Sequence, residues 1–348
     1  METTNKIIIP VNNNSDNPRK ANPYLFFKKN IVFLKNIFSL MITCFIIILL
    51  FSNVNIFKLG KNIQQIDLRL VVAAIILSMV TNMIIATERI KRILNALNCD
   101  ISFKEVFLMK MGSTPLKILP SSKINLFSQI IYLKKYKNFS FLFGINAVIF
   151  GLILNILALL TFISIGSIFY FLFKNSGLLR EFSYIFYALF ISSIFILLFF
   201  LVIKSGGTQN KILYFLNNIN KKLCGTFLKF VSIYNNLENK KIIFLWIYSI
   251  ILQFSEIFIC YILCKSLGLN IHFYIIILFI PLVILISNLP ISISGIGIRE
   301  SAILLFFYTY GTREELLSLG ILIFFIEYMI PVFIGLFFIN SFLIKISK

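Results

Sequence analysis

The chain has 348 residues, of which 59% are hydrophobic and 13% charged, whereas soluble domains carry about 25% charged residues. Its formal net charge is +20, but the basic residues stand between long apolar blocks. That placement excludes a water-soluble nucleic-acid binder and makes anionic lipid headgroups the natural partner.

Residues 1–30 contain the run Asn12-Asn13-Asn14 and no short apolar core followed by an Ala-x-Ala-like site. They read as a mobile basic tail, not as a cleavable signal. Residues 31–348 read as a single polytopic membrane domain. Apolar stretches of roughly 18 residues or more are the sequence signature of membrane helices. Spans are expected near 36–54, 69–87, 143–170, 182–203, 242–264, 271–289, 300–311 and 317–341. The expectation is an all-α integral membrane protein with about eight transmembrane helices.

Basic residues set the orientation. The tail, loop 88–138, loop 204–241, Arg299 and the C-terminus carry 26 of the 33 Lys and Arg, and the opposite side carries seven. This places both termini in the cytoplasm and favours an even number of spans in the cytoplasmic (inner) membrane. Segment 204–241 repeats Ile212, Phe215, Leu216, Ile219, Leu223, Phe227, Val231 and Tyr234 at helical spacing, with Lys211, Lys221, Lys222 and Lys229 among them. It reads either as a basic amphipathic helix on the anionic leaflet or as a connector packed on the bundle.

Two segments, 111–123 and 288–300, break the membrane pattern with closely spaced Pro, Gly and Ser. Such backbone cannot face lipid, because its N–H and C=O groups would lack partners. It fits two interrupted or re-entrant segments, one in each half, which suggests an inverted pseudo-repeat with a site at its interface. The alternative is a pair of ordinary loops. Lys117, Lys123 and Arg299 could supply charge to an anionic group such as phosphate, alongside free N–H groups at helix starts. Glu300 fits either the cavity or the start of a helix.

Glu256 and Glu327 lie mid-span, where a carboxylate must face protein or water. They fit proton coupling, contact with a polar headgroup, or a hydrogen-bonded tie between helices. Asn146 and Asn155 read as interhelical hydrogen-bond partners, and His272 as a structural residue at an interface. The five cysteines lack metal spacing, and no phosphate loop or nucleophile elbow is present. No cofactor, no metal and no catalytic residue is expected, and the chain reads as a non-enzyme.

The run Leu289-Pro290-Ile291-Ser292-Ile293-Ser294-Gly295-Ile296-Gly297-Ile298-Arg299-Glu300 resembles the Leu-Pro-x-Ser-x-Gly-Gly-x-Gly-x-Arg-Glu signature of flippase-like membrane proteins. That family includes the membrane half of lysylphosphatidylglycerol synthases. Ser294 stands where many members have Gly. A looser likeness runs through Arg89–Leu97, Ser102-Phe103, Leu119-Pro120 and Tyr132–Lys135, where the family's acidic residue and arginine after Leu-Pro are replaced by Ser121-Ser122-Lys123-Ile124-Asn125.

The resemblance implies a lipid translocase or lipid-handling protein acting on phospholipid or polyprenyl-linked lipid. Taken together with the reading of the broken segments and the mid-span carboxylates, the expected substrate-binding residues are Lys117, Pro120, Lys123, Glu256, Pro290, Ser292, Ser294, Gly295, Gly297, Arg299, Glu300 and Glu327. The alternative is a non-catalytic accessory protein that anchors or regulates a lipid-modifying or glycosyl-transfer enzyme.

Overall fold

The computed structural model describes residues 40–172 apart from 42, 53 and 120–123, and residues 237–347 apart from 290, 291, 293 and 294, together with positions 190, 191, 194 and 214. The expectations for the tail 1–30, the span 182–203 and most of segment 204–241 fall outside the described residues. The described residues contain helices and no strand.

Helix α1 (Thr43–Phe51) bends by 87° into α2 (Ile56–Gln64). The Asn55 side chain caps α2 by accepting from the Phe57 and Lys58 amides. Ile56 and Phe57 are exposed while Leu59 is buried, as in a helix lying along a membrane surface. Helix α3 (Leu68–Ala96) carries a π-helical turn at Val80–Ile85. Helix α4 (Phe103–Ser113) tightens into a 3₁₀ turn at Thr114–Ile118, where Pro115 removes a backbone donor. Helix α5 (Ile124–Lys137) follows.

Helix α6 (Phe141–Leu172) is 32 residues without a charge, and α7 (Asn239–Ser266) is 28 residues. Helices α8 (Phe273–Ser287) and α9 (Ile298–Phe307) have 15 and 10 residues. The last helix, α10 (Arg313–Ser347), holds a second π turn at Phe325–Met329. Its start is fixed by a capping box between Thr312 and Glu315.

Four helices (α3, α6, α7 and α10) are long and apolar enough to cross a membrane, or five if the bent α1–α2 pair counts as one. Eight crossings were expected. The difference among the described residues lies at 271–289 and 300–311. A helix of 10 residues rises about 15 Å, half of the roughly 30 Å hydrocarbon core. Loop 88–138 is also no loop, because α3 continues to Ala96 and α4 and α5 fill the rest.

These short helices form two hairpins. In the first, Glu105 near the start of α4 pairs with Lys137 at the end of α5 at 2.8 Å, and Gln129 donates to the Ser113 hydroxyl at 2.9 Å. Its open end shares a pole with Lys345, which lies 4.4 Å from the centre of the Tyr136 ring. In the second, Phe279 of α8 packs on Phe306 and Phe307 of α9, with ring centres 5.1 and 5.4 Å away. Its open end brings Leu269 against Gly311.

That second end shares the other pole with the Asp67–Ser266 backbone bond of 3.1 Å. There Arg313 also donates to the Leu49 and Leu50 carbonyls at 3.2 Å, capping α1. The two hairpins therefore open toward opposite poles.

One apolar core lies among α3, α6, α7, α8, α9 and α10, and a second at the basic pole includes Tyr132, Phe150 and Phe342. Glycines permit the closest crossings. A Cβ at Gly166 would come within 2.6 Å of the Leu278 Cα, and one at Gly335 within 2.7 Å of the Met111 carbonyl oxygen. Cys260 and Cys264 are buried free thiols on α7.

Candidate functional site

The inner ends of both hairpins carry a cation. Lys117 is in the 3₁₀ turn that ends the first arm. Arg299 is the second residue of α9, directly after the break between α8 and α9. That break turns on Gly295 and Gly297, with φ of 75° and 82°, values that glycine adopts without strain. Lys117 and Arg299 act electrostatically on each other and on Glu256 of α7, and Lys117 also on Glu327 of α10. Arg89 of α3 acts on Glu256, and Lys110 of α4 acts on Lys117 and Arg89.

One intramembrane cluster thus gathers Arg89, Lys110, Lys117, Arg299, Glu256 and Glu327 from α3, α4, α7, α9 and α10. Lys117, Glu256, Arg299 and Glu327 are half-buried, so each keeps part of its side chain exposed.

The two π turns tie the cluster together. A π turn inserts an extra residue and disrupts the regular α ladder, as the Ala86 amide bonding to the Thr81 carbonyl and the Ile330 amide bonding to the Phe325 carbonyl show. Cross-helix donors reach carbonyls in both turns. The Lys110 ammonium donates to the Asn82 carbonyl in the first turn. The Ser78 hydroxyl donates to the Ile326 carbonyl in the second at 3.3 Å. Between them the Asn82 amide donates to Glu327 Oε2 at 3.2 Å and to the Ser78 hydroxyl at 3.3 Å. On the next helix residue, the Tyr328 hydroxyl donates to the Lys117 carbonyl.

Arg89 is buried and donates to Asn155 Oδ1 and, at 2.9 Å, to the Gly151 carbonyl of α6. Asn155 is therefore an interhelical partner as expected. Three buried polar atoms of this region, Arg89 Nε, Gln253 Oε1 and Glu327 Oε1, have no hydrogen-bond partner among the described residues.

Of the expected site residues, Lys117, Glu256, Arg299 and Glu327 meet in the cluster. Gly295 and Gly297 shape the turn before Arg299. Ser292 is buried there, and its hydroxyl lacks a partner among the described residues. Glu300 is turned to another task, accepting from the Gly297 amide at 2.7 Å and capping α9. Pro120, Lys123, Pro290 and Ser294 lie outside the described residues.

Arg89, Lys110, Asn82 and Ser78 were not among the expected site residues. A signal for them exists in the spacing of Ser78, Asn82 and Arg89, and of Lys110 and Lys117, which repeats near one and two helical turns. Counting Arg89 and Lys110 as cytoplasmic loop charges hid it.

Among the described residues no cluster of His, Cys, Asp and Glu could hold a metal ion. No curated protein matches the chain at a significant level. The family model described as lysylphosphatidylglycerol synthase TM region matches residues 36–335, which span both hairpins, both π turns and every residue of the cluster. The chain is a membrane protein and belongs to the lysylphosphatidylglycerol synthase TM region family.

Proposed function

We propose that the protein is a non-catalytic lipid translocase of the cytoplasmic (inner) membrane, with both termini cytoplasmic, that carries the headgroup of a phospholipid or polyprenyl-linked lipid through the charged cluster. The observation that carries this reading is the imbalance of the cluster. Among the described residues four basic side chains, Arg89, Lys110, Lys117 and Arg299, stand against three carboxyls, Glu256, Glu327 and Glu300, the last acting on Arg299 while it accepts from the Gly297 amide. An excess of positive charge inside a membrane is costly, so it suits an anionic ligand. A lipid phosphate supplies that charge and keeps its acyl chains in the bilayer.

Arg299 suits bidentate phosphate contact, and Lys117 adds a second cation from the opposing hairpin. Hairpins that open toward opposite poles are the arrangement expected of inverted repeats around a central site. In this reading they enter the membrane from opposite sides, and the chain's family ties it to membrane lipids.

The test is leaflet exchange of labelled phospholipids and polyprenyl-linked lipids in vesicles containing the purified protein, comparing wild type with Arg299→Ala. Exchange of one lipid class that the substitution removes, in a protein that still inserts and melts normally, supports the reading. No exchange of any class tested moves the assignment to an accessory role. The next measurement is then co-purification of a stoichiometric lipid-modifying or glycosyl-transfer enzyme.

A further inference from the structure

Glu327 is built differently from a simple counter-ion. Its Oε2 is held by the Asn82 amide, while Oε1 is buried with no hydrogen-bond partner among the described residues. A carboxyl held in this way can take a proton on Oε1 and keep the Asn82 bond on Oε2. The new O–H bond then supplies a donor that a phosphate oxygen can use.

The charged and titratable groups around it come from every neighbouring element. Lys117 comes from the first hairpin, Arg299 from α9 and Glu256 from α7. Asn82 and Ser78 come from α3 and both hydrogen-bond to the carboxyl, with Lys110 behind them on the Asn82 carbonyl. Tyr328 is on its own helix and is bonded to the Lys117 carbonyl. Among the described residues, α5 brings Gln129, already bonded to Ser113, and keeps its lysines 134, 135 and 137 at the basic pole.

Lys117 and Arg299 are therefore shared. They compensate Glu327 in the empty protein, and the proposed function gives them to the lipid phosphate. When an anionic headgroup draws on them, the ionised carboxylate is left beside a like charge, which favours its protonated form. We propose that Glu327 is a proton-binding site linked to headgroup occupancy, so that the protein moves an anionic lipid together with a proton. This rests on the translocase reading and adds its driving force. The proton comes from water on one side, forms the O–H bond on Oε1, and returns to water on the other side as the headgroup leaves. No electron is transferred. By linkage, proton and anion each strengthen the binding of the other by the same factor.

The test uses the full-length protein in phosphatidylcholine vesicles doped with fluorescent phosphatidylglycerol. Wild-type exchange should speed up as pH falls, by at most about tenfold per pH unit for one linked proton. An imposed pH gradient should enrich the label in one leaflet. Glu327→Gln keeps an acceptor for Asn82 and should exchange at a rate independent of pH, without enrichment. Glu256→Gln, whatever its rate, should retain the pH slope. Wild-type exchange that is flat with pH and blind to the gradient overturns the proton site and leaves the translocase standing.

If no lipid exchanges in the wild type, the translocase reading has failed. The proton site is then judged by infrared titration of the purified protein. A protonated-carboxyl band that grows when inorganic phosphate is added, and is missing in Glu327→Gln, upholds it. Identical bands in both proteins overturn it.

Discussion

The Asn82 side chain donates to Glu327 at 3.2 Å, and the two residues sit in the π turns of two different long helices, 245 positions apart in the chain. Each turn offers a side chain to this bond and a backbone carbonyl to a donor from another helix. A π turn in a membrane span is tolerated when its backbone groups find such partners. Asn82→Ala should lower stability by about 1 kcal/mol, and an Asn82/Glu327 double-mutant cycle should give a coupling of about 0.5–2 kcal/mol. Thermal melting in detergent measures both.

The opposed hairpins predict a labelling pattern. In a cysteine-free background, single cysteines at Lys104 and Thr312 should react with impermeant reagents from opposite sides of the membrane. A cysteine at Leu119 or Leu289, near the inner ends, should not show the strong reactivity of either. Labelling of both 104 and 312 from one side would refute the opposed arrangement.

Close helix crossings rest on missing side chains. At Gly335 a Cβ would come within 2.7 Å of the Met111 carbonyl oxygen and of Pro115 Cδ, and neither can move cheaply. Gly335→Ala should cost about 1–3 kcal/mol by overpacking, read as a lower melting temperature. Gly60→Ala, where a Cβ meets nothing within 4 Å, should leave the melting temperature unchanged or slightly raised.

At the basic pole the first hairpin is latched by Glu105 and Lys137. Burial of Glu105 opposes its ionisation, but hydrogen bonds from Lys137 and from the Ser102 backbone and hydroxyl outweigh it and hold the carboxyl below its ordinary value. A depressed carboxylate stabilises above its unfolded value, about 4.3, and loses that contribution as pH falls through the folded one. Glu105→Gln should therefore melt earlier than wild type at neutral pH, with the gap closing in acid. A gap that stays constant into acid would contradict the latch.

The apolar blocks of α6 and α7 were legible because uninterrupted hydrophobicity has one physical solution in lipid. The broken runs at 111–123 and 288–300 were legible for the converse reason, and among the described residues they hold the 3₁₀ turn at Thr114–Ile118 and the positive-φ Gly295 and Gly297. The hairpins themselves were not. Hydropathy reads 271–289 and 300–311 as spans, because a short apolar helix is as apolar as a crossing and differs in length, 15 and 10 residues for α8 and α9. Loop 88–138 hid for the opposite reason. Its ten basic residues look cytoplasmic in a charge count, yet Arg89, Lys110 and Lys117 turn inward to meet Glu256 and Glu327 from helices far away in sequence. Spacing alone also cannot show that Glu300 caps its own helix while its neighbour Arg299 faces the cluster.

The most direct test of the charged cluster is the exchange of an anionic phospholipid and of uncharged diacylglycerol by the same vesicles, for wild type, Arg299→Lys and Arg299→Ala. Anionic exchange should fall by about a hundredfold in Arg299→Ala, as expected for loss of a charge-assisted contact of 2–3 kcal/mol. Arg299→Lys should recover it in part, and neither substitution should affect diacylglycerol. Anionic exchange unchanged in Arg299→Ala, in a protein that inserts and melts as wild type, would contradict that contact.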